Sequence, residues 1–398
     1  MVTKIKLKAF ILLAALFFTA LFVGGVYIYA IFIIAGFLLL ASYIAGKSAY
    51  KNLVNIVWKS SDKIQAGSRF KMSMELYNSS FFPIPYLRIS TKLSRKLTGE
   101  EERNRIFSLM PGEKTTIEKD IICKNKGIYR IGYLELEFGD AFGVFSWKMI
   151  SDTNILLYVY PKVYDLRFFR IPLRQHFGTS AVRHNAYEDF ASIKDIRKYE
   201  NGDSIKKIHW KVTAHKGEFH VKNVDLNATA DINVFMDLYE YSYEGAYKDE
   251  MEELAAECSA SIARYALARN MSVSLIGKCS EYIRVSGTGI NKFAEFLDAI
   301  TKSEVTGDIP IDELVRIEGQ KLNLGATAII VTSNVSKTML DTVLSYKAKG
   351  VGFVIVHLCE NRDIVNNNVE ALKQHGVVVY TVGIWDDIMQ ALGGQYEK

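Results

Sequence analysis

The chain opens on an apolar run, continues through a stretch that alternates with period two, and closes on apolar blocks separated by helical repeats. From Ala9 to Gly46 there is no charged side chain. As a single helix that run would measure about 57 Å, roughly twice the hydrocarbon thickness of a bilayer. Gly24-Gly25 divides it into AFILLAALFFTALFV and VYIYAIFIIAGFLLLASYIAG. The pattern predicts a transmembrane helical hairpin within residues 1–51, with spans at about 6–23 and 26–46. Ile5 and Leu7 are expected to lengthen the first span while the neighbouring lysines snorkel. Over 52–160, RFKMSMELYN, TTIEKDIIC and YRIGYLELEF alternate, and Pro83, Pro85, Pro111-Gly112, Lys126-Gly127 and Gly139-Asp140 mark turns between them. Short strands with regular turns predict an all-β, sandwich-like domain. Over 229–398 the blocks ADINVFMDL, MSVSLIG, ATAIIVTS, VGFVIVHLC and VVVYTVG alternate with helical segments. One of these, YKDEMEELAAECSASIARYALARN, places Met251, Leu254, Ala255, Cys258 and Ile262 on one face. Strands alternating with helices predict an α/β domain with a mainly parallel sheet. Residues 161–228 are left as a linker between the two domains.

Charge sets the expected orientation. Lys4, Lys6 and Lys8 precede the apolar run, and Lys47, Lys51 and Lys59 follow it. Both flanks are basic, so both, and the domains beyond, are expected on the cytoplasmic side of the plasma membrane. A cleaved signal peptide headed by KIKLK is the rival reading, but the apolar run is too long for it and a second span follows directly. The sequon Asn78-Ser79-Ser80 would then not meet a glycosylating enzyme. The net charge of +5 is unevenly spread, since residues 162–222 hold 13 Lys or Arg against 7 Asp or Glu. That segment alone is +6, which leaves the remainder near neutral, and it carries five of the seven histidines. Cys123, Cys258, Cys279 and Cys359 form no CxxC pair, a distribution that fits reduced, buried thiols rather than a disulfide framework or a zinc site.

Within the linker, DIRKYENGDSIKKIHWKVTAHKGEFHVKN concentrates the candidate chemistry. Asp203 or Ser204 is placed to cap a short helix, SIKKIHWKVTA. Ile205, Ile208, His209 and Val212 fall on one face, with Lys206, Lys207 and Lys211 on the other and Trp210 among the lysines. Gly217 is expected to stop the helix, and EFHVKNV to form a strand. A large aromatic seldom stays exposed, so Trp210 is expected to pack against a neighbouring domain rather than await a partner. The lysines are read as a solvated face, with phosphate or lipid headgroup contact as the sharper alternative. Asp203 with His209 could serve as an acid/base pair, but no nucleophile elbow such as GxSxG accompanies them. His209, His215 and His220 match no familiar zinc-helix spacing.

The same residues resemble the signature of the DUF58 family of bacterial proteins, carried here by Tyr199, Gly202, Asp203, Ile208, His209, Trp210, Lys211, Thr213, Ala214 and Gly217. GDAFGVFSW and YPKVYDL resemble two further segments of that family, with Ala141 standing where the family has Pro. The resemblance implies a membrane-anchored protein of undefined activity, encoded beside a MoxR-type AAA+ ATPase, with a C-terminal part similar to a von Willebrand factor A domain of Rossmann-like layout. The adhesion-type metal site of such domains needs Asp-x-Ser-x-Ser, with a distant Thr and Asp. Here Asp237 is followed by Tyr239 and Tyr241 at the serine positions, then Ser242, and Thr332 has no Asp beside it. Small hydroxyls let oxygens converge on a hard cation and tyrosines do not, so a degenerate, non-functional site at Asp237, Ser242 and Thr332 is expected, with no cofactor beyond a residual affinity for Mg²⁺. The leading expectation is a non-enzymatic scaffold, anchored by its hairpin and partnered by an AAA+ ATPase. The alternatives are a metal-assisted or acid/base hydrolase using Asp203 and His209, with any metal at His215 or His220, and anionic-lipid or nucleic-acid binding through 162–222. Nucleic acid is disfavoured because aromatics do not interleave with the lysines.

Overall fold

A computed structural model describes residues 2–5, 7–59, 61–91, 93–98, 105–172, 193–199, 208–224, 231–362 and 366–393. The chain forms two compact units. The first comprises Met1–Val163, Gly245–Ala260 and Leu297–Glu304, and the second Tyr164–Glu244, Ser261–Phe296 and Val305–Lys398.

The first unit begins with strand β1 (Val2–Ile5), helix α1 (Leu7–Val23) and helix α2 (Val26–Asn52). Gly24 (φ 68°) and Gly25 (φ 103°) separate the helices in a backbone region that side chains other than Gly rarely enter. Phe17 of α1 and Phe32 of α2 bring their ring centroids to 5.4 Å. By length and composition α2 is the one helix among the described residues that could cross a membrane, and α1 is shorter. Two sequence expectations need correcting here. Ile5 does not lengthen α1, because it lies in β1 opposite Phe145. Nor does α2 stop near residue 46: it runs on to Asn52, and Ser42, Gly46 and Ala49 are buried.

The rest of this unit is β2 (Leu53–Lys59), β3 (Lys63–Gln65), β4 (Arg69–Asn78), β5 (Ile84–Ser90), the short helix α3 (Arg95–Thr98), β6 (Arg105–Leu109), β7 (Lys114–Ile122), β8 (Gly127–Arg130), β9 (Tyr133–Gly139), β10 (Phe145–Asp152) and β11 (Leu156–Tyr160). They form a five-stranded sheet, β1-β10-β9-β5-β6, and two three-stranded sheets, β2-β4-β7 and β3-β11-β8. Period-two alternation turns one face of each strand inward. Phe70, Met72, Met74 and Leu76 of β4 are buried while Lys71 is exposed. The register places Phe70 opposite Ile121, and Leu87 opposite Phe138. These residues share one core with Leu134, Leu136 and Trp147. Asn78 of the sequon is fully buried, its amide donating to the carbonyls of Phe82, Leu109 and Met110 at 3.0–3.3 Å.

The second unit contains β12 (Ile193–Lys198), α4 (Trp210–Lys216), β13 (His220–Val224) and β14 (Asp231–Met236). Helices α5 (Lys248–Ala268) and α6 (Phe293–Lys302) are each divided between the two units, and the second unit also holds β15 (Ser272–Lys278), β16 (Tyr282–Thr288), α7 (Ile311–Gly319), β17 (Thr327–Thr332), α8 (Lys337–Ala348), β18 (Gly352–Cys359), α9 (Asn367–Gln374), β19 (Val378–Gly383) and α10 (Ile388–Gly393). The main sheet has the order β16-β15-β14-β17-β18-β19. All its pairings are parallel except β15 with β16. Every residue of β17 is buried, as expected of a strand covered on both faces. Phe235, Ile330 and Ile355 pack with Leu314, Met339, Val343 and Leu372 from α7, α8 and α9. Helix α5 is not the amphipathic helix the sequence suggests. Glu252, Glu253 and Glu257 are buried along with its apolar residues.

Candidate functional site

The described signature residues lie along or beside an antiparallel pair, β12 with β13, and the short helix α4. Ile208 is extended and bridges Val221, and the Tyr199 N–H donates to the Phe219 carbonyl at 2.8 Å. The helix therefore starts later than its apolar spacing suggests. His209, not Asp203 or Ser204, is the N-cap: its Nδ1 accepts from the Val212 N–H at 3.3 Å. Gly217 ends the helix in the left-handed region (φ 71°), as expected, and its N–H donates to the Thr213 carbonyl at 2.9 Å. His220 is buried, its N–H donating to Thr213 Oγ1 and its Nδ1 facing the Glu218 carbonyl. Gly202, Asp203, Lys206 and Lys207 lie outside the described residues.

These bonds turn two rings outward. Trp210 is 63% exposed and Phe219 55% exposed. Their ring centroids are 6.5 Å apart, edge to face, and Tyr199 meets Phe219 at 6.2 Å. The expectation that Trp210 packs against a neighbouring domain is thus overturned, since its ring is exposed and meets only Phe219 among the described aromatic rings. Lys198, Lys211, His215 and Lys216 are also exposed, and Lys198 pairs with Glu218 at 2.6 Å. The turn thus exposes two aromatic rings together with several cationic side chains and Glu218. His209 is engaged as a cap and His220 is held by backbone groups, so the histidines serve the turn.

The second candidate lies at the carboxyl end of β14 and β17. Asp237 is fully buried. Its Oδ2 accepts from Thr332 Oγ1 at 2.6 Å and its Oδ1 from the Tyr239 N–H at 3.0 Å. Burial pushes the Asp237 carboxyl above its ordinary range, while bonds from Thr332, Tyr239 and Ser242 oppose the shift and the charge of Asp312 adds to it. Ser333 Oγ donates to the Ser242 carbonyl, and Tyr243 OH to the Asp237 carbonyl at 3.0 Å. The chain does bring Asp237, Ser242 and Thr332 together. A hard cation such as Mg²⁺ takes six oxygens, commonly one or two carboxylates with waters, whereas both oxygens of this carboxylate already accept bonds from Thr332 and Tyr239. Tyr239 and Tyr241 meet edge to face, with centroids 5.4 Å apart, and Tyr241 is exposed. Among the described residues, no group of three or more His, Cys, Asp or Glu side chains is placed to hold a metal ion.

One polar cluster was not anticipated from sequence. Lys126 is buried in the first unit, where its N–H donates to Glu253 Oε2 and its Nζ to the Ser303 carbonyl, both at 2.6 Å. Lys126 Nζ lies 3.8 Å from Glu252, which also pairs with Lys96 at 3.0 Å. Burial lowers the pKa of Lys126. It raises that of Glu253 to about 7, with Glu257 and Glu252 adding to the shift and Lys126 opposing it. The acids were legible as helix residues, but their partner is 127 positions away in sequence.

Residues 195–365 match a family model described as "Protein of unknown function DUF58". The match supports the DUF58 family. It covers the signature turn and most of the parallel sheet, and it assigns no activity. No curated protein matches the chain. Among solved structures, the SpRpn10 VWA domain is similar over 42% of this chain and 93% of its own, at 11% identity and a TM-score of 0.29. The CARDB domain of PF1109 from Pyrococcus furiosus covers 27% of this chain and 91% of its own, at 14% identity and a TM-score of 0.20. Proximal thread matrix protein 1 from the mussel byssus covers 39% of this chain and 44% of its own, at 15% identity and a TM-score of 0.30. At such scores the fold is read from the strand order of this chain itself.

Proposed function

We propose that this chain is a membrane-anchored interaction protein, held at the cytoplasmic face of the plasma membrane by α1 and α2 as a hairpin. Its DUF58 segment, built on a von Willebrand factor A-like sheet, presents the signature turn to a protein partner. The partner that the family resemblance suggests is an AAA+ ATPase of the MoxR type, and the work is assembly or a cell-envelope process. The observation that carries the reading is the exposure of Trp210 and Phe219 in a hydrogen-bonded turn that also exposes Lys211 and Lys216. Exposed aromatics beside cations are what interface anchors look like before binding. A rigid turn also limits the ordering cost on association.

The test is binding of a purified MoxR-type ATPase from the same cell to the detergent-solubilised full chain. Reversal of Lys211 and Lys216 to Glu should slow association and weaken its dependence on salt. Equal binding by parent and variant would remove the turn from the interface. Reporter fusions after Lys59 should read cytoplasm, because the flanking charge is basic. A periplasmic reading there would overturn the orientation.

A further inference from the structure

The two apolar helices are too short, as they leave the β-domain, to account for a bilayer by themselves. Helix α1 cannot draw on the residues before it, since β1 is already paired with β10 and α1 starts at Leu7. Its whole length of Leu7–Val23 reaches about 26 Å at 1.5 Å per residue. Helix α2 is committed to the β-domain from Ser42 onward. Ser42 Oγ donates to Asp140 Oδ2 at 2.5 Å in a buried bond. A Cβ at Gly46 would overlap the Trp147 ring, so the helix and the sheet approach as closely as glycine allows. Tyr43 packs on Phe145 and Trp147, with ring centroids at 5.4 and 6.3 Å. What is left for lipid, Val26–Ala41, reaches about 24 Å. Both values fall short of a hydrocarbon core of about 30 Å.

The surface from which the helices emerge is itself apolar. Asp140 ties the turn that follows β9 by accepting from the Phe145 N–H at 2.8 Å and the Phe142 N–H at 3.3 Å. The Phe142 ring is left 58% exposed. It lines one groove with Leu12, Leu13 and Leu16 of α1 and Leu38 and Leu39 of α2. Phe10 meets Phe145 beside it, at 6.1 Å between centroids. The first charge beyond this level on α2 is Lys47, whose ammonium lies 5.7 Å from the Tyr43 ring centroid. An aromatic belt followed by a lysine is the order of groups found from the hydrocarbon boundary outward to the headgroups.

We propose that the β-domain is seated in the bilayer interface, with the Asp140–Gly143 turn as a membrane-contact element that inserts Phe142 at the acyl boundary. The occupant of the groove beneath Phe142 is then a lipid acyl chain. The hydrocarbon boundary then lies beyond Ser42 on the β-domain side and short of Lys47, so the seated part of α2 supplies the length that Val26–Ala41 lacks. This rests on the reading of α1 and α2 as a membrane anchor, and it adds the depth at which the domain sits.

The experiment uses the full chain in nanodiscs made from lipids brominated at shallow or at deep acyl positions. Two single variants, Phe142→Trp and Tyr27→Trp, are compared with the parent, whose tryptophan emission is subtracted. Both positions are exposed, so neither change disturbs packing. The expected result is that the emission added at 142 is lost mainly to the shallow bromines, while that added at 27 is also lost to brominated lipid. If the emission at 27 is quenched and that at 142 keeps its unbrominated intensity with both lipids, the anchor stands and the seating is wrong. If neither is quenched, the anchor and the seating both fall.

Discussion

Two tryptophans in this chain do opposite things. Trp147 is fully buried in the first unit, stacked on Phe138 at 6.0 Å and covering Gly46 of α2. Trp210 is 63% exposed in the second unit and touches only the edge of Phe219 among the described aromatic rings. The backbone beneath each decides which it is. Trp147 occupies an inward position of a strand with buried neighbours, so the alternation of the strand drives it into the core. Trp210 is the first residue of a seven-residue helix whose entry is fixed by an imidazole cap and a strand bridge, and that entry directs it outward. The first is a wedge that joins helix to sheet. The second is left exposed, and is the docking anchor of the proposed function. The contrast makes the two indoles separable by experiment.

The largest expected effect is at the wedge. Trp147→Ala should cost about 3–5 kcal/mol, the usual result of truncating a large aromatic in a packed core. A denaturant melt of the solubilised chain checks it, and a cost near zero would mean that α2 is not held by this ring. Next is a pH effect in the same unit. Glu253 titrates near 7 in the folded chain against 4.5 ordinarily, so the native state binds the extra proton between those values. Its contribution to stability should therefore fall as pH rises from about 4.5 to about 7, by roughly 3 kcal/mol in all. Lys126 runs the other way, since its lowered pKa makes its contribution improve with rising pH only above that folded value and up to 10.5. Melts of parent and Glu253→Gln across this range isolate the Glu253 term, and parallel curves would show that the site is more hydrated than its burial suggests. Smaller again is Ser42→Ala, which removes one hydrogen bond to a buried carboxylate and should cost about 1–2 kcal/mol.

Sequence reading reached the parts of the fold that repeat. The alternation of β4 and the continuous apolar block of β17 both appear in the burial of those strands. It missed β16, because Tyr282–Thr288 is an edge strand with exposed positions and Gly in place of a β-branched run. It misplaced the start of α4, because Ile205, Ile208 and Val212 mimic a helical stripe although Ile208 is extended. The helix stop at Gly217 was legible, since only one residue type takes that backbone cheaply. The cap was not, because histidine is uncommon in that role and Asp203 or Ser204 offered a more familiar acceptor. Contacts between distant positions left no local trace: Ser42 meets Asp140 across 98 positions, and Lys126 meets Glu253 across 127. At the Asp237 cluster the converging residues were foreseen from a family pattern, and the hydroxyl saturation that disfavours a cation came only from geometry.

The smallest expected stability change belongs to the open anchor, and it tests the account most directly. Trp210→Ala should alter the stability of the solubilised chain by no more than about 0.5 kcal/mol, as for an exposed side chain with few contacts. The same variant should lose most of its binding to a MoxR-type ATPase, as truncation of a central aromatic does at interfaces. Denaturant melts and binding isotherms on one preparation give both numbers. Unchanged stability with lost binding is the result the account predicts. A loss of several kcal/mol with binding retained would contradict it, and would make Trp210 a second wedge rather than a docking residue.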